Sequence, residues 1–354
     1  MEAQAILKDL FFVILYGGVI MLDIVAALYL LLRRGNAIAP EVTSPVSLRR
    51  WAAAFMIACA LSHVFWVIYA YHPTFTVYII VGGLDLLMLY PTIAGILMSM
   101  MQNRHRYVWS VLVALVPAVA LLAICIIRGD DALYLPLVIY IIVLYAFLML
   151  YSFFAVRRYG RWLRDNYADL EHKEVWQSFL ILAGFLLFFV VYSSTTGGSG
   201  VLAYLLQIDC IIIVVLLLWR VETLQQLSES TPAEAAPTAA STKIETLLKK
   251  HCESGQLYLQ NDLTLAQLAG AIGTNRTYLS QHFAQQGITY NAYINGLRIS
   301  HFIRLYHKAV ADGREFTAQQ LAFESGYHSY STFSAAFKLS TGKTVTEWMR
   351  DAAR

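Results

Sequence analysis

The sequence predicts an all-α protein in two parts: a polytopic seven-helix membrane bundle, followed by a cytosolic all-helical domain with two helix-turn-helix units. Three observations predict it. First, 58% of the 354 residues are hydrophobic and only 14% charged, against about 25% charge in a soluble protein, so much of the chain needs a lipid environment. Second, seven apolar runs occupy the N-terminal part, each near or above the about 20 residues that cross a hydrocarbon core of roughly 30 Å. Third, one short pattern with helix-start, break and anchor residues occurs twice near the C-terminus.

The runs are approximately Leu10 to Leu32, Trp51 to Ala70, Phe75 to Met101, Val108 to Ile127, Tyr134 to Val156, Val175 to Tyr192 and Val201 to Trp219, the sixth being the shortest. The first is too long for a cleavable signal peptide and lacks its basic start and small-residue cleavage site, so it is expected to stay as a membrane helix. Charge sets the orientation. One set of loops holds Arg33, Arg34, Arg49, Arg50, Arg104, Arg106, Arg157, Arg158, Arg161, Arg164 and Lys173; the other holds Lys8 and Arg128. By the positive-inside rule the N-terminus is outside and, after an odd number of spans, the C-terminal domain is in the cytoplasm of a bacterial inner membrane. The loop Arg157 to Glu174 mixes basic and acidic residues around Tyr159, Trp162 and Tyr167. It is read as a topology anchor, with a seat on the anionic inner leaflet or against the C-terminal domain left open.

Ionisable groups within apolar spans are costly and point to function. Asp23, His63, Asp85 and Asp209 are such groups, in spans one, two, three and seven, and the topology lets them share one layer. With Tyr90 and Gln207 they form a candidate ligand cavity open toward the outside. Three acids with one base leave charge that a ligand, proton or ion would complete; the alternative is a network in which these groups satisfy one another between helices. Gly82-Gly83 and Pro91 give span three close approach and a kink site.

Beyond Trp219 the seventh helix is expected to run on through Leu227. Ser228 to Thr242, SESTPAEAAPTAAST, has two prolines and no large apolar side chain, and reads as a linker spanning about 20 to 25 Å as a random coil. The expected division is 1–227 sensor, 228–242 linker and 243–354 C-terminal domain. The four cysteines, Cys59, Cys125, Cys210 and Cys252, are widely spaced, and neither disulfides nor a zinc site are expected.

The repeat reads T264LAQLAGAIGTNRTYLSQHF283 and T317AQQLAFESGYHSYSTFSAAF337. In each copy a Thr is followed three residues later by Gln, the arrangement in which hydroxyl and amide cap each other's backbone donors, so helices start at Thr264 and Thr317. Gly273-Thr274-Asn275 and Ser325-Gly326 break them, and Phe283 and Phe337 anchor the second helices. A helix from about Asn291 to Ala309 joins the copies, with Tyr293, Leu297, Phe302, Leu305 and Ala309 inward and Arg298, Arg304 and Lys308 outward. From Lys243 onward twelve Lys/Arg face eight Asp/Glu, a mildly basic balance that suits phosphate.

Tyr278-Leu279-Ser280, Phe283, Arg298, Gly326-Tyr327, Ser331 with Phe333, Ala336-Phe337-Lys338, Gly342 and Glu347-Trp348 resemble the AraC/XylS-type DNA-binding domain, over about 90 of the 354 residues. The resemblance implies two recognition helices entering successive major-groove segments on one DNA face. It assigns DNA contacts to Arg276, Thr277, Ser280, Gln281, Arg298, Tyr330, Ser331, Thr332, Ser334, Lys338 and Lys343. Gln281 is the best base reader, since its amide can pair with adenine in two bonds. Ala335 stands where the family commonly has a polar or basic residue, which puts strong base discrimination by the second helix in doubt. Val345 replaces the family's proline, and Thr344 with Glu347 can still form a capping box.

Catalytic motifs are missing from the sequence. There is no HExxH and no GxxxxGK[ST]; span seven has no Lys for a retinal Schiff base, and no span after Ser199 carries the His an intramembrane serine protease needs. The expected function is a membrane-embedded one-component transcription regulator that needs no cofactor. Its expected partners are double-stranded promoter DNA, the lipid bilayer, RNA polymerase, a second copy as homodimer, and a small-molecule or envelope signal. A transporter or channel with an accessory DNA-binding tail is the alternative.

Overall fold

Asp9 opens the first helix, its carboxylate accepting the free N–H groups of Phe11 and Phe12. Thr74 does the same for the third, accepting from Val77 N at 3.3 Å. From such starts the chain builds, among the described residues, fourteen α-helices and no β-strand. The structure is a computed structural model that describes residues 9–33, 35–40, 42–103, 109–129, 131–195, 201–227 and 241–352, without the side chains of 189–195 and 241–243. The expected linker therefore lies almost wholly outside the described residues. The chain divides into two compact units, Met1–Tyr159 with Val175–Leu227, and Gly160–Glu174 with Ser228–Arg354.

The first unit is a helical bundle: α1 Leu10–Leu32, α2 Val46–Tyr71, α3 Phe75–Ser99, α4 Trp109–Arg128, α5 Tyr134–Arg164, α6 Trp176–Thr195 and α7 Val201–Thr223. Six of these are long and apolar enough to cross a bilayer; α6 offers a shorter apolar stretch, Trp176–Phe188, among the described residues. Large apolar side chains point outward, Leu32 at 77% and Ile127 at 83% exposure. The helices α1, α2 and α3 pack closely. At Gly95 a Cβ would stand 2.2 Å from the Trp51 ring, so only glycine lets α3 approach that side chain. Pro91 lies inside α3, and the Thr92 hydroxyl donates to the carbonyls of Met88 and Leu89 in the adjoining turn.

The seventh helix ends at Thr223 instead of running to Leu227, because the next backbone groups have other partners. Gln226 N donates to Thr43 O at 2.7 Å, and Leu227 N to Gln102 Oε1 at 2.8 Å. Just before them, the buried Glu222 carboxylate accepts from Ala37 N, Ile38 N and the Tyr29 hydroxyl. These bonds fix where the chain leaves the first unit.

In the second unit, α8 Ser241–Leu247, a π-turn Leu248–Ser254 and a 3-10 turn Leu257–Leu259 lead into α9 Leu265–Ala271, α10 Arg276–Gln285, α11 Tyr290–Ala311, α12 Ala318–Glu324, α13 Tyr330–Thr341 and α14 Val345–Ala352. Two small cores result. Leu265, Leu268, Leu279 and Phe283 belong to one, with Ala168 from the 160–174 segment; Leu321, Tyr327, Phe333 and Phe337 belong to the other. Helix α11 serves both, placing Tyr290 and Ile294 in the first and Ile299, Phe302 and Tyr306 in the second. Of the expected inward stripe, Phe302 and Ala309 are buried and Tyr293, Leu297 and Leu305 pack partly buried against the cores, while Ile294, Arg298 and Tyr306 complete the buried face.

Candidate nucleic-acid interface

Both predicted capping boxes form. Gln267 N donates to Thr264 Oγ1 at 3.2 Å and Thr264 N to Gln267 Oε1 at 2.8 Å; Gln320 N donates to Thr317 Oγ1 at 3.1 Å and Thr317 N to Gln320 Oε1 at 3.0 Å. These boxes start α9 and α12, the first helix of each helix-turn-helix. The turns pass through left-handed glycines, Gly273 at φ 72° and Gly326 at φ 86°. Each second helix then starts on its own cap, Asn275 accepting from Tyr278 N at 2.9 Å and Ser329 accepting from Thr332 N at 3.2 Å. The third box also forms, with Thr344 N donating to Glu347 Oε2 at 2.9 Å, and these bonds hold the Glu347 carboxyl below its usual pKa.

On α10, Arg276, Thr277 and Gln281 are exposed and Ser280 half-buried, while Leu279 and Phe283 fill the core. On α13, Ser331, Ala335 and Lys338 are exposed, Tyr330, Thr332 and Ser334 half-buried, and Phe333 and Phe337 buried. Lys343 is exposed and pairs with Asp351 at 2.9 Å. Ten of the eleven assigned DNA-contact residues therefore keep at least partial access to solvent. Arg298 does not.

Arg298 is only 1% exposed, a correction to its expected outward direction. Its guanidinium donates from Nε to Tyr258 O at 2.8 Å and from Nη2 to Gln260 O at 2.7 Å and Asn261 O at 3.0 Å, and it lies 5.4 Å from the Tyr327 ring centroid. A cation on a helix face is usually read as solvated. Here the carbonyls of Tyr258, Gln260 and Asn261, at and just after the 3-10 turn, converge on the guanidinium fork, which donates to all three. Arg298 therefore ties the two helix-turn-helix units to each other. Burial lowers its pKa, opposed by the surrounding tyrosines and carboxylates.

Sequence reasoning left the role of segment 160–174 open, and the structure places it within the second unit. Leu265 N, a free donor at the start of α9, donates to Asn166 O at 2.9 Å, beside an isolated antiparallel bridge between Tyr167 and Thr264. Asn291 Nδ2 donates to Ala168 O at 2.7 Å, and Lys173 pairs with Asp262 at 3.5 Å. At the second recognition helix, the Glu171 carboxylate accepts from Ser329, from Ser331 at 3.3 Å and from Thr332 at 2.8 Å. At the first, the Arg276 guanidinium lies 5.9 Å from the Trp162 ring centroid. Burial acts to raise the Glu171 pKa, but the Ser329, Thr332 and Ser331 hydroxyls and the nearby His172 outweigh it and hold the carboxyl below its usual value. Only the clustering of acids with aromatic residues in this loop hinted at a docked segment.

In the first unit the six candidate cavity residues lie on α1, α2, α3 and α7, and two of them, His63 and Gln207, are in contact. His63 lies between the Cys59 carbonyl, 2.8 Å from Nδ1, and Gln207 Oε1, 3.1 Å from Nε2. The Tyr90 hydroxyl donates to Leu144 O at 3.4 Å. Asp23 and Asp209 are buried, each with one oxygen, Oδ2, that has no hydrogen-bond partner. Asp85 lines a cavity of about 90 Å³ between α2, α3, α4 and α5, with Trp66, Tyr78, Tyr134 and Tyr145. Asp85 Oδ2 accepts from Trp66 Nε1 at 2.6 Å, while its buried Oδ1 has no partner. The aromatic wall was not anticipated, since its residues are scattered over three helices.

Residues 268–351 match the helix-turn-helix domain family. The chain is similar to the TCP pilus virulence regulatory protein of Vibrio cholerae serotype O1, 32% identical over 84 residues that make up 24% of this chain and 29% of that protein. It is also similar to an uncharacterized helix-turn-helix-type transcriptional regulator of Staphylococcus aureus strain MRSA252, 27% identical over 101 residues, 28% of this chain and 13% of the relative. The chain thus spans less than a third of the length of these relatives. No solved structure matches. The matched residues run from inside α9 to the last helix, and the C-terminal part of the chain is a helix-turn-helix domain of the kind found in DNA-binding transcription regulators.

Proposed function

We propose that this protein is a one-component transcription regulator that stays in the bacterial inner membrane, with seven spans, the N-terminus outside and an AraC-type DNA-binding domain in the cytoplasm. The observation that carries the reading is the pair of equally capped helix-turn-helix units joined through α11. That helix has 22 residues. At 1.5 Å per residue it is about 33 Å long, near the roughly 34 Å of one B-DNA turn, which suits two recognition helices meeting successive major-groove segments on one face. Gln281 reads bases, Arg276, Thr277, Ser280, Tyr330, Ser331, Thr332 and Ser334 line the reading faces, and Lys338 and Lys343 hold phosphate. Arg298 acts through structure and not by touching DNA.

The membrane unit senses. Buried carboxylate oxygens on Asp23, Asp85 and Asp209 without partners support a role beyond packing, because an unsatisfied acid in hydrocarbon is costly. The aromatic cavity at Asp85 is the place where a small signal molecule would bias the helices. Comparing promoter occupancy and transcripts in cells with the intact chain and with a chain ending before the linker tests the reading. Loss of both occupancy and regulation on truncation is expected; unchanged transcripts would overturn it. Reporter fusions at the C-terminus test the topology, and a periplasmic signal would exclude it.

A further inference from the structure

The hydroxyls that the duplex would meet at the second recognition helix are already engaged. Ser329, Ser331 and Thr332 stand at the start of α13, a 12-residue helix whose dipole favours an anion. A carboxylate is there: Glu171 accepts from all three hydroxyls. Each hydroxyl has one proton to donate, so one that serves Glu171 cannot also serve a phosphate oxygen. On the first recognition helix the Arg276 guanidinium, exposed and assigned to DNA, faces Trp162 of the same segment at 5.9 Å. The segment is held nearby by Asn166, Ala168 and Lys173, so Glu171 competes at high effective concentration.

We infer that segment 160–174 is an internal stand-in for DNA, with Glu171 in the place of a backbone phosphate on the second recognition helix, so that loop and duplex exclude each other. This rests on the DNA-binding reading above. It gives sensing a route to the output: the segment is continuous with α5, whose Tyr134 and Tyr145 line the cavity at Asp85, and with α6. A signal that shifts α5 against its neighbours draws Glu171 off the reading helix. With Glu171 seated, the protein is in its weak-binding state.

The test measures binding of a random-sequence duplex of about 40 base pairs, at low salt, by the full-length protein in nanodiscs, where phosphate contacts dominate. Glu171→Gln is expected to tighten binding on the order of tenfold, since it removes a charge-assisted cluster. Asp165→Asn makes the same change of charge in the same loop and is expected to change binding less than twofold. Combining Glu171→Gln with Ser331→Ala and Thr332→Ala is expected to give a smaller further gain over the two alanine changes than Glu171→Gln gives alone, since two of the three hydroxyls through which Glu171 acts are gone. Equal affinities of wild type and Glu171→Gln, or equal gains from Glu171→Gln and Asp165→Asn, overturn the inference while leaving the regulator reading standing. Failure of every variant to bind duplex overturns both.

Discussion

Replacing Arg298 by Met should loosen the whole C-terminal unit without removing a DNA contact. The side chain is 1% exposed and makes three bonds, to the carbonyls of Tyr258, Gln260 and Asn261. A bond to a charged donor contributes about 1.5 to 3 kcal/mol, but Gln260 and Asn261 lie at the surface, where water can replace the guanidinium. Tyr258 is 3% exposed, and its carbonyl would lose its partner at a cost of about 1 to 3 kcal/mol. The expected loss is therefore about 1 to 3 kcal/mol, set by that one carbonyl. Arg298→Lys should lose about half of that, because a point ammonium cannot serve three divergent carbonyls. Amide hydrogen exchange on the full-length protein in nanodiscs reads the opening free energy of α9 and α11 directly. A change below about 0.5 kcal/mol, with DNA affinity nonetheless lost, would refute the structural role and restore the outward reading.

Three further predictions concern base reading, backbone and sensing. Gln281→Ala should cost about 1 to 3 kcal/mol at one cognate base pair, whereas Lys338→Ala should weaken binding to all sequences alike and reduce the salt slope by about one; competition binding across a base-substitution series distinguishes them. Gly326→Ala should destabilise by more than about 2 kcal/mol, since φ is 86° and the new Cβ would stand 2.7 Å from Leu259 Cα, while Gly273→Ala, at φ 72° with open space, should cost only about 1 kcal/mol; thermal unfolding ranks the two. Asp85→Asn and Asp209→Asn should abolish the transcriptional response while the protein still purifies folded, and an unaltered response in both variants would sink the sensing cavity.

Much of the second unit was legible because its signals are local. The Thr-x-x-Gln boxes, the glycine breaks and the Phe anchors each act within a few residues, so helix starts at Thr264 and Thr317 and the turns at Gly273 and Gly326 follow from the sequence. What depended on distant partners was not. Arg298 looks solvent-facing until the carbonyls of 258–261, some 40 residues earlier, are brought to it. The rest of the α11 face was legible: Phe302 and Ala309 are buried and Tyr293, Leu297 and Leu305 pack against the cores, while the buried Ile294 and Tyr306 widen that face beyond the expected stripe. Helix α7 stops early because Thr43 and Gln102 take its next backbone groups. In the first unit, spacing located the polar residues but not their neighbours, so Trp66 and Tyr78 beside Asp85 went unseen. Glu171 lay in a loop whose charges suited a membrane anchor as well as a domain contact.

Hydroxyl-radical footprinting of duplex bound by the intact protein in nanodiscs bears most directly on the whole account. Two protected stretches about one helical turn apart on a single DNA face are expected, with the protection at one of them altered by Gln281→Ala. A protein that protects no stretch, and prefers no duplex to random competitor, would contradict it.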